Sequence, residues 1–411
     1  MIPIEILKRV GRKAQEVLNP TGPKRTTKSP ATSTGSVENK TAPTNTSPGT
    51  STGSVENKTA PHSKSPGTST GSVENKTATY TQPGELADLG VLFMPLAEYH
   101  GRELGAVATA LQELGHRSTF LVEEPLVNVV DKHLGDFPRI IAEKEYDRFA
   151  LGTFDAFVAM NDWGEPSRAI YHLARTRGVP SFAKVEGVQD FTDVDTGRIR
   201  LPYMAADHVL VQGANDIEAL DRKNLHTVGN ANMETAWKEG PGASARSGEV
   251  AINSNFTYGV LLEARDEFLR GAITAILATE LTPVISQHPV DRPLPGEFAQ
   301  YRTDRSMSEL LPVVDAVVTR FSTIPFEAIA YGTPFVYFNP HREKVPTFAT
   351  PDPAFDHVHT AEELQASLTA AIGSRDGYRA IAEPYFRAQI DMTEEPSAMR
   401  SAAAIATVVY G

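Results

Sequence analysis

The chain has 411 residues, with 39 Lys and Arg against 51 Asp and Glu, a formal net charge of −12. It contains no cysteine, which excludes disulfides, thiolate-bound zinc, iron–sulfur clusters and a cysteine nucleophile. The length points to two domains and an appendage, and no run approaches the roughly 18 apolar residues that a membrane-crossing helix needs. The charge is uneven: 11 basic and 5 acidic side chains fall in 1–83, leaving 28 and 46 in 84–411, a net of −18. So acidic a body lacks the clustered Lys and Arg that neutralise phosphates, and nucleic acid is excluded as a partner.

Residues 1–18 place Ile2, Ile6, Leu7, Val10, Ala14, Val17 and Leu18 at helical spacing, with Lys8, Arg9, Arg12 and Lys13 across much of the other face. A basic amphipathic helix of this kind lies on an anionic membrane surface. Docking on a partner, or on the chain's own body, is the alternative. Within 19–83 the ten residues STGSVENKTA recur at 33–42, 51–60 and 69–78, a period of 18. Val is the only sizeable apolar residue of the repeat, so burial cannot offset chain entropy, and a disordered tether is expected. Each repeat carries a formal glycosylation sequon, at Asn39, Asn57 and Asn75. The N-terminus lacks a secretory leader pattern, so plain low complexity is the simpler explanation. A cytoplasmic location is expected, peripheral at the inner face of the membrane through residues 1–18.

From 84 onward, apolar β-branched runs alternate with helical patterns. Residues 90–94 (GVLFM) read as a strand, 102–114 as a helix stopped by Gly115, and 118–122 as a strand. Then follow a strand at 156–160, a helix at 166–177 before Gly178, and a strand at 179–184. Strands at 208–211 and 226–228 flank a helix at 215–220. The stretch 239–249 (EGPGASARSGE) has no apolar period and reads as a linker. The second series has strands at 250–254, 284–286, 316–319 and 335–338. Its helices fall near 260–279, at 306–311, 324–331 and 361–372, and near 378–390. Such alternation predicts parallel sheets with helices on both faces, hence two doubly wound Rossmann-like domains over 84–238 and 250–411. Ligands are expected in a cleft at the carboxyl ends of the strands.

Four stretches at predicted strand ends carry candidate chemistry. Glu98-Tyr-His100-Gly101 follows the first strand, and His100 is a candidate base. Lys184-Val-Glu186-Gly187-Val-Gln-Asp190 follows an apolar strand. Glu186 is the first candidate to deprotonate a hydroxyl, with Asp190 behind it and a capping acid as the alternative. His288-Pro289 ends a strand of the second series, where a histidine can donate a hydrogen bond to a departing phosphate; a structural histidine is the alternative. In Arg320-Phe-Ser322-Thr323-Ile-Pro-Phe-Glu327, a strand ends and a helix begins. The hydroxyls and free N–H groups there suit a phosphate, with Glu327 one turn on to accept from ribose hydroxyls. Ordinary N-capping is the alternative. Two weaker patterns are Asp193-Val-Asp195, read as a solvated turn rather than a metal pair, and Asn339-Pro-His341-Arg342, read as a nucleotide or acceptor contact. There is no Gly-rich phosphate loop, no dinucleotide fingerprint and no nucleophile elbow.

These residues resemble the GT-B glycosyltransferases. The resemblance covers about 89–395 and rests on the tandem α/β layout, Ser-Thr before Phe-Glu, Gly-Thr-Pro at 332–334 and Val-Gly-Asn at 228–230. His288-Pro289 and Ser322-Thr323 resemble the His-Pro and Ser-Ser/Thr motifs of bacterial sialyltransferases and polysialyltransferases, which contact a CMP-sugar's nucleotide and phosphate. Val185-Glu186-Gly187 matches the last two positions of their acidic-acidic-Gly motif. The pattern is also similar to CDP-glycerol glycerophosphotransferases of teichoic acid synthesis, which carry His-Gly where this chain has Glu186-Gly187. The resemblance implies a metal-independent, inverting transferase with no cofactor beyond a nucleotide-sugar co-substrate of CMP or CDP type, UDP being the alternative. Glu186, His288 and the rival His100 would be catalytic. His288, Pro289, Ser322, Thr323, Glu327 and Arg320 would hold the nucleotide. The acceptor would be a glycan or a lipid-linked molecule of a bacterial surface polysaccharide or wall polymer. A CDP-glycerol-type transferase, a UDP-sugar 2-epimerase and a non-catalytic GT-B-like module are the other readings.

Overall fold

The computed structural model describes residues 88–142, 153–188, 202–241, 246–256, 261–288 and 291–411. The helix expected over 1–18, the repeats of 19–83, Asp190, Asp193, Asp195 and Pro289 lie outside them.

Two parallel sheets carry the fold. The first comprises β1 (Gly90–Met94), β2 (Arg117–Glu123), β3 (Arg139–Ala142), β4 (Ala156–Ala159), β5 (Ser181–Lys184), β6 (His208–Val211) and β7 (Leu225–Thr227). Its order is β3-β2-β1-β4-β5-β6-β7. The helices that serve it are α1 (Glu98–Glu113), α2 (Glu165–Thr176), α3 (Ala214–Leu220) and α4 (Ala231–Glu239). The second sheet comprises β8 (Glu249–Asn253), β9 (Thr282–Ser286), β10 (Arg302–Thr303), β11 (Ala316–Thr319), β12 (Phe335–Phe338) and β13 (Phe355–Val358), in the order β10-β9-β8-β11-β12-β13. Around it run α5 (Arg265–Leu277), α6 (Ile324–Ala330), α7 (Ala361–Gly373) and α8 (Tyr378–Gln389), and α9 (Ser397–Tyr410) follows. In each sheet the order reverses beside its first strand, at β1–β4 and at β8–β11, which opens a crevice at the carboxyl ends.

The period-2 alternation of the strands explains why both faces are covered. Val91 and Phe93 enter one core, while Leu92 and Met94 enter the core on the opposite face. Likewise Val250 and Ile252 face one side of the second sheet and Ala251 the other. These cores do not respect the linear boundaries. Val188, Met233 and Ala236 pack with Val317, Phe326 and Phe386, and Ala402 and Ile405 of α9 pack with Val91 and Phe93. Helix α9 thus returns to the first sheet. Its start is caught by Glu234 of α4, whose carboxylate accepts from Ser397 N–H at 3.0 and 2.8 Å and pairs with Arg400 at 3.1 Å.

Helix α1 begins four residues before the expected start. Within it Gly105 serves close approach: a Cβ there would lie 2.5 Å from the His133 carbonyl oxygen. The edge strands β3 and β13, and helices α4 and α9, are additions to the sequence reading. Among the described residues no helix is long and apolar enough to cross a membrane.

Candidate functional site

The carboxyl ends of β1, β4 and β5 converge on Glu186. Its side chain is 22% exposed. Tyr99, in the first turn of α1, donates its hydroxyl to Oε1. The Asn161 amide, just past β4, donates to Oε2 at 2.5 Å. His100 is 2% exposed, and its Nε2 lies 3.3 Å from Oε1. The Leu96 N–H donates to His100 Nδ1 at 3.1 Å, so the ring proton is assigned to Nε2, facing the carboxylate. Burial pushes the Glu186 carboxyl up, but the neighbouring His100, with the Tyr99 and Asn161 donors, outweighs it and holds it below its ordinary value. The two candidate bases of the sequence reading are thus one unit. His100 is buried with both nitrogens facing protein atoms, and Glu186 is the member that reaches solvent.

Tyr99 and the loop residues Trp163 and Met204 have exposed side chains. Tyr99 is 38% exposed, Trp163 43% and Met204 58%. Trp163 N–H donates to the Asn161 side chain at 3.1 Å. Asp162 accepts from Tyr203 N–H and Ala205 N–H, on either side of Met204, at 3.0 and 2.9 Å.

In the second half, Ser322 and Thr323 lie between β11 and α6, as expected. The Ser322 hydroxyl accepts from Ile324 N–H at 3.2 Å. Thr323 occupies the N-cap position without a side-chain capping bond to its own helix. Its hydroxyl instead accepts from Val188 N–H at 3.2 Å, so the Glu186-Gly187 and Ser322-Thr323 motifs meet. The Glu327 carboxyl is raised by burial, with Arg102 of α1 pulling the other way. His288 follows β9, and burial lowers its imidazole against the opposing charge of Asp291; it is therefore neutral at neutral pH.

Arg320 does something other than expected. It is 2% exposed, and its Nε donates to Glu343 at 2.9 Å and its Nη1 to the Asn255 carbonyl at 3.0 Å. Nη2 also pairs with Glu343, and the guanidinium lies 4.3 Å from the Phe256 ring centroid. The side chain is thus consumed inside the second half rather than presented to a nucleotide. Asn339 and His341 are corrected in the same way. Asn339 bonds the Glu343 backbone at both ends, at 2.7 and 2.9 Å, and His341 Nε2 is 3.1 Å from its carboxylate. Burial pushes Glu343 up, but His341, Arg320 and Tyr337 overcome it and hold it at about 2. Removing one partner of such a buried pair costs about 3–5 kcal/mol, because the other charge is left uncompensated.

Sequence reasoning missed Tyr99, Asn161 and Glu343, and also Glu103. The last is a buried acid of α1 that accepts from Ala231 and Asn232 N–H at 3.1 and 3.2 Å and lies 3.2 Å from the buried Lys184 ammonium. Of the four, only Tyr99 stands in a stretch singled out from the sequence, and there His100 alone was given a role. Among the described residues no three His, Asp or Glu gather as metal ligands.

No protein-family model and no curated protein sequence matches the chain. Solved structures do. A UDP-GlcNAc 2-epimerase of Methanocaldococcus jannaschii, in complex with UDP-GlcNAc and UDP, aligns with TM-score 0.54 at 9% identity over 79% of this chain and 100% of that one. The wall teichoic acid polymerase TagF aligns at 0.52 and 11% identity over 78% and 88%. The kitacinnamycin glycosyltransferase aligns at 0.51 and 13% identity over 79% and 99%. With its two parallel sheets and returning C-terminal helix, the chain has the GT-B fold that glycosyltransferases and nucleotide-sugar epimerases share.

Proposed function

We propose that this protein is a metal-independent glycosyltransferase, moving a sugar from a nucleotide-sugar to a hydroxyl of a bacterial surface polysaccharide or wall-polymer acceptor. The observation that carries the reading is the contact of the two motifs. A hydrogen-bonded carboxylate from one half stands within two residues of the hydroxyl-bearing loop of the other.

The acceptor oxygen attacks the anomeric carbon while Glu186 takes the hydroxyl proton. The bond from that carbon to the phosphate oxygen breaks, its electron pair leaves with the nucleotide, and the configuration inverts. Ser322, Thr323 and His288 donate hydrogen bonds to the phosphate as its charge grows, a preorganised stabilisation that is stronger in the transition state than before it. Glu327 accepts from the ribose hydroxyls. The donor is of CMP or CDP type, with UDP as the alternative. On the acceptor side, Tyr99, whose hydroxyl donates to Glu186, offers an exposed aromatic ring, which suits the C–H face of a sugar ring. Residues 1–18 supply a membrane-surface contact toward a lipid-linked acceptor.

Product analysis of the full chain with donor and acceptor tests this reading. The wild type should release nucleotide and extend the acceptor. Glu186→Gln and His288→Ala should each lower turnover about 100-fold or more. Near-normal turnover in either variant overturns the role given to that residue. Conversion of a UDP-sugar to its epimer without acceptor identifies an epimerase on the same fold instead.

A further inference from the structure

Resting on that reading, we infer that Thr323 is also a positioning residue: its hydroxyl ties the loop carrying Glu186 to the loop that takes the donor's phosphate. The loop 186–188 is held from both sides. Glu186 is fixed by Tyr99, His100 and Asn161 of the first half. Two residues on, the Val188 side chain is buried in the core of the second half with Val317 and Phe326, and its N–H donates to Thr323 Oγ1 at 3.2 Å. Between them, Gly187 leaves no room for a side chain. A Cβ there would lie 2.3 Å from Thr323 Oγ1 but 3.4 Å from its Cβ and Cγ2.

The chemistry of a hydroxyl makes the double use feasible. It accepts through two lone pairs and donates one proton. Accepting from Val188 leaves the O–H free to donate to a phosphate oxygen, and Thr323 spends none of this capacity on capping α6. Base and leaving-group site are therefore held in register through one oxygen, which favours a fixed attack geometry. A glycine follows Glu186 because any larger residue would push this oxygen away.

The test uses the full chain with Gly187→Ala, Thr323→Ala, their combination, Thr323→Val and Thr323→Ser. Hydrogen exchange of the segment containing the Val188 amide, thermal midpoint and transfer rate are read for each. Gly187→Ala should lower the midpoint by several degrees and the transfer kcat at least about 10-fold. In the Thr323→Ala background the same change should cost little more, since the atom it strikes is gone. Thr323→Val should speed exchange at Val188 about 10-fold or more and lower transfer kcat, and Thr323→Ser should recover most of both. Equal exchange in the threonine and valine forms, or additive effects of Gly187→Ala and Thr323→Ala, overturns the tie. A tie that holds while Thr323→Val transfers at the wild-type rate overturns the positioning role. A wild type that transfers no sugar defeats the functional reading alone, because exchange and thermal midpoint still judge the contact.

Discussion

Glu186 sits under two opposing pressures. Its burial favours the neutral acid, while His100, Tyr99 and Asn161 favour the anion and prevail. The carboxylate is therefore ionised, and able to take a proton, at any pH above the ordinary carboxylate range. Transfer should lose activity only as pH falls through the depressed value. Asn161→Ala removes one of the donors and lets burial weigh more heavily, so the acid limb of the kcat profile should move to higher pH. A limb that stays in place shows that Asn161 does not act through Glu186. The sequence alone offered Glu186 and His100 as rivals, because spacing cannot reveal that strands β1 and β5 flank β4 in one sheet. Asn161 and Tyr99 were illegible for the same reason: they lie 25 and 87 residues from Glu186. Arg320 was read as a nucleotide contact because a cation beside a phosphate-type loop looks like one. Its partner Glu343, 23 residues on, becomes visible only when β11 and β12 are paired.

At the scale of elements, strands bounded by sharp composition changes were read to the residue. β1, β6, β11 and β12 have the expected ends, since each is an apolar run buried almost throughout. The edge strands β3 and β13 escaped because their partly exposed sides break the apolar run. Helix α9 was not read from the sequence, and the surface it packs on belongs to the first sheet, about 300 residues earlier. Its route back passes a buried acid. Asp216 in α3 accepts from Gln212 N–H at 2.8 Å and from Gln389, at the end of α8, at 3.1 Å. Burial is the dominant influence and raises its carboxyl from 3.8 to about 7, with the hydrogen bonds and Lys184 opposing. Between those values the folded chain keeps a proton that the unfolded chain has lost. This group's stabilising contribution is therefore full below about pH 4 and is lost as pH rises through 7. The thermal midpoint should accordingly carry a downward slope from pH 5 to 7.5 that flattens in Asp216→Asn. An unchanged slope in that variant assigns the titration elsewhere.

The whole molecule joins two sheets whose carboxyl ends supply every element of the proposed chemistry: Glu186 from the first, His288, Ser322 and Thr323 from the second. The alternation of strands and helices made this architecture legible in the sequence, and the short motifs marked the two loops that meet. The central claim is that those loops receive a nucleotide without help from a metal. Thermal shifts of the full chain with CMP, CDP, UDP and GDP, each with magnesium and with a chelator, test it directly, since a ligand at about 100 times its dissociation constant stabilises by about 2.7 kcal/mol. The expected result is a shift selective for a cytidine nucleotide, or failing that for UDP, equal in magnesium and chelator, and lost in His288→Ala. No shift with any of the four, or one that disappears with the chelator, would contradict it.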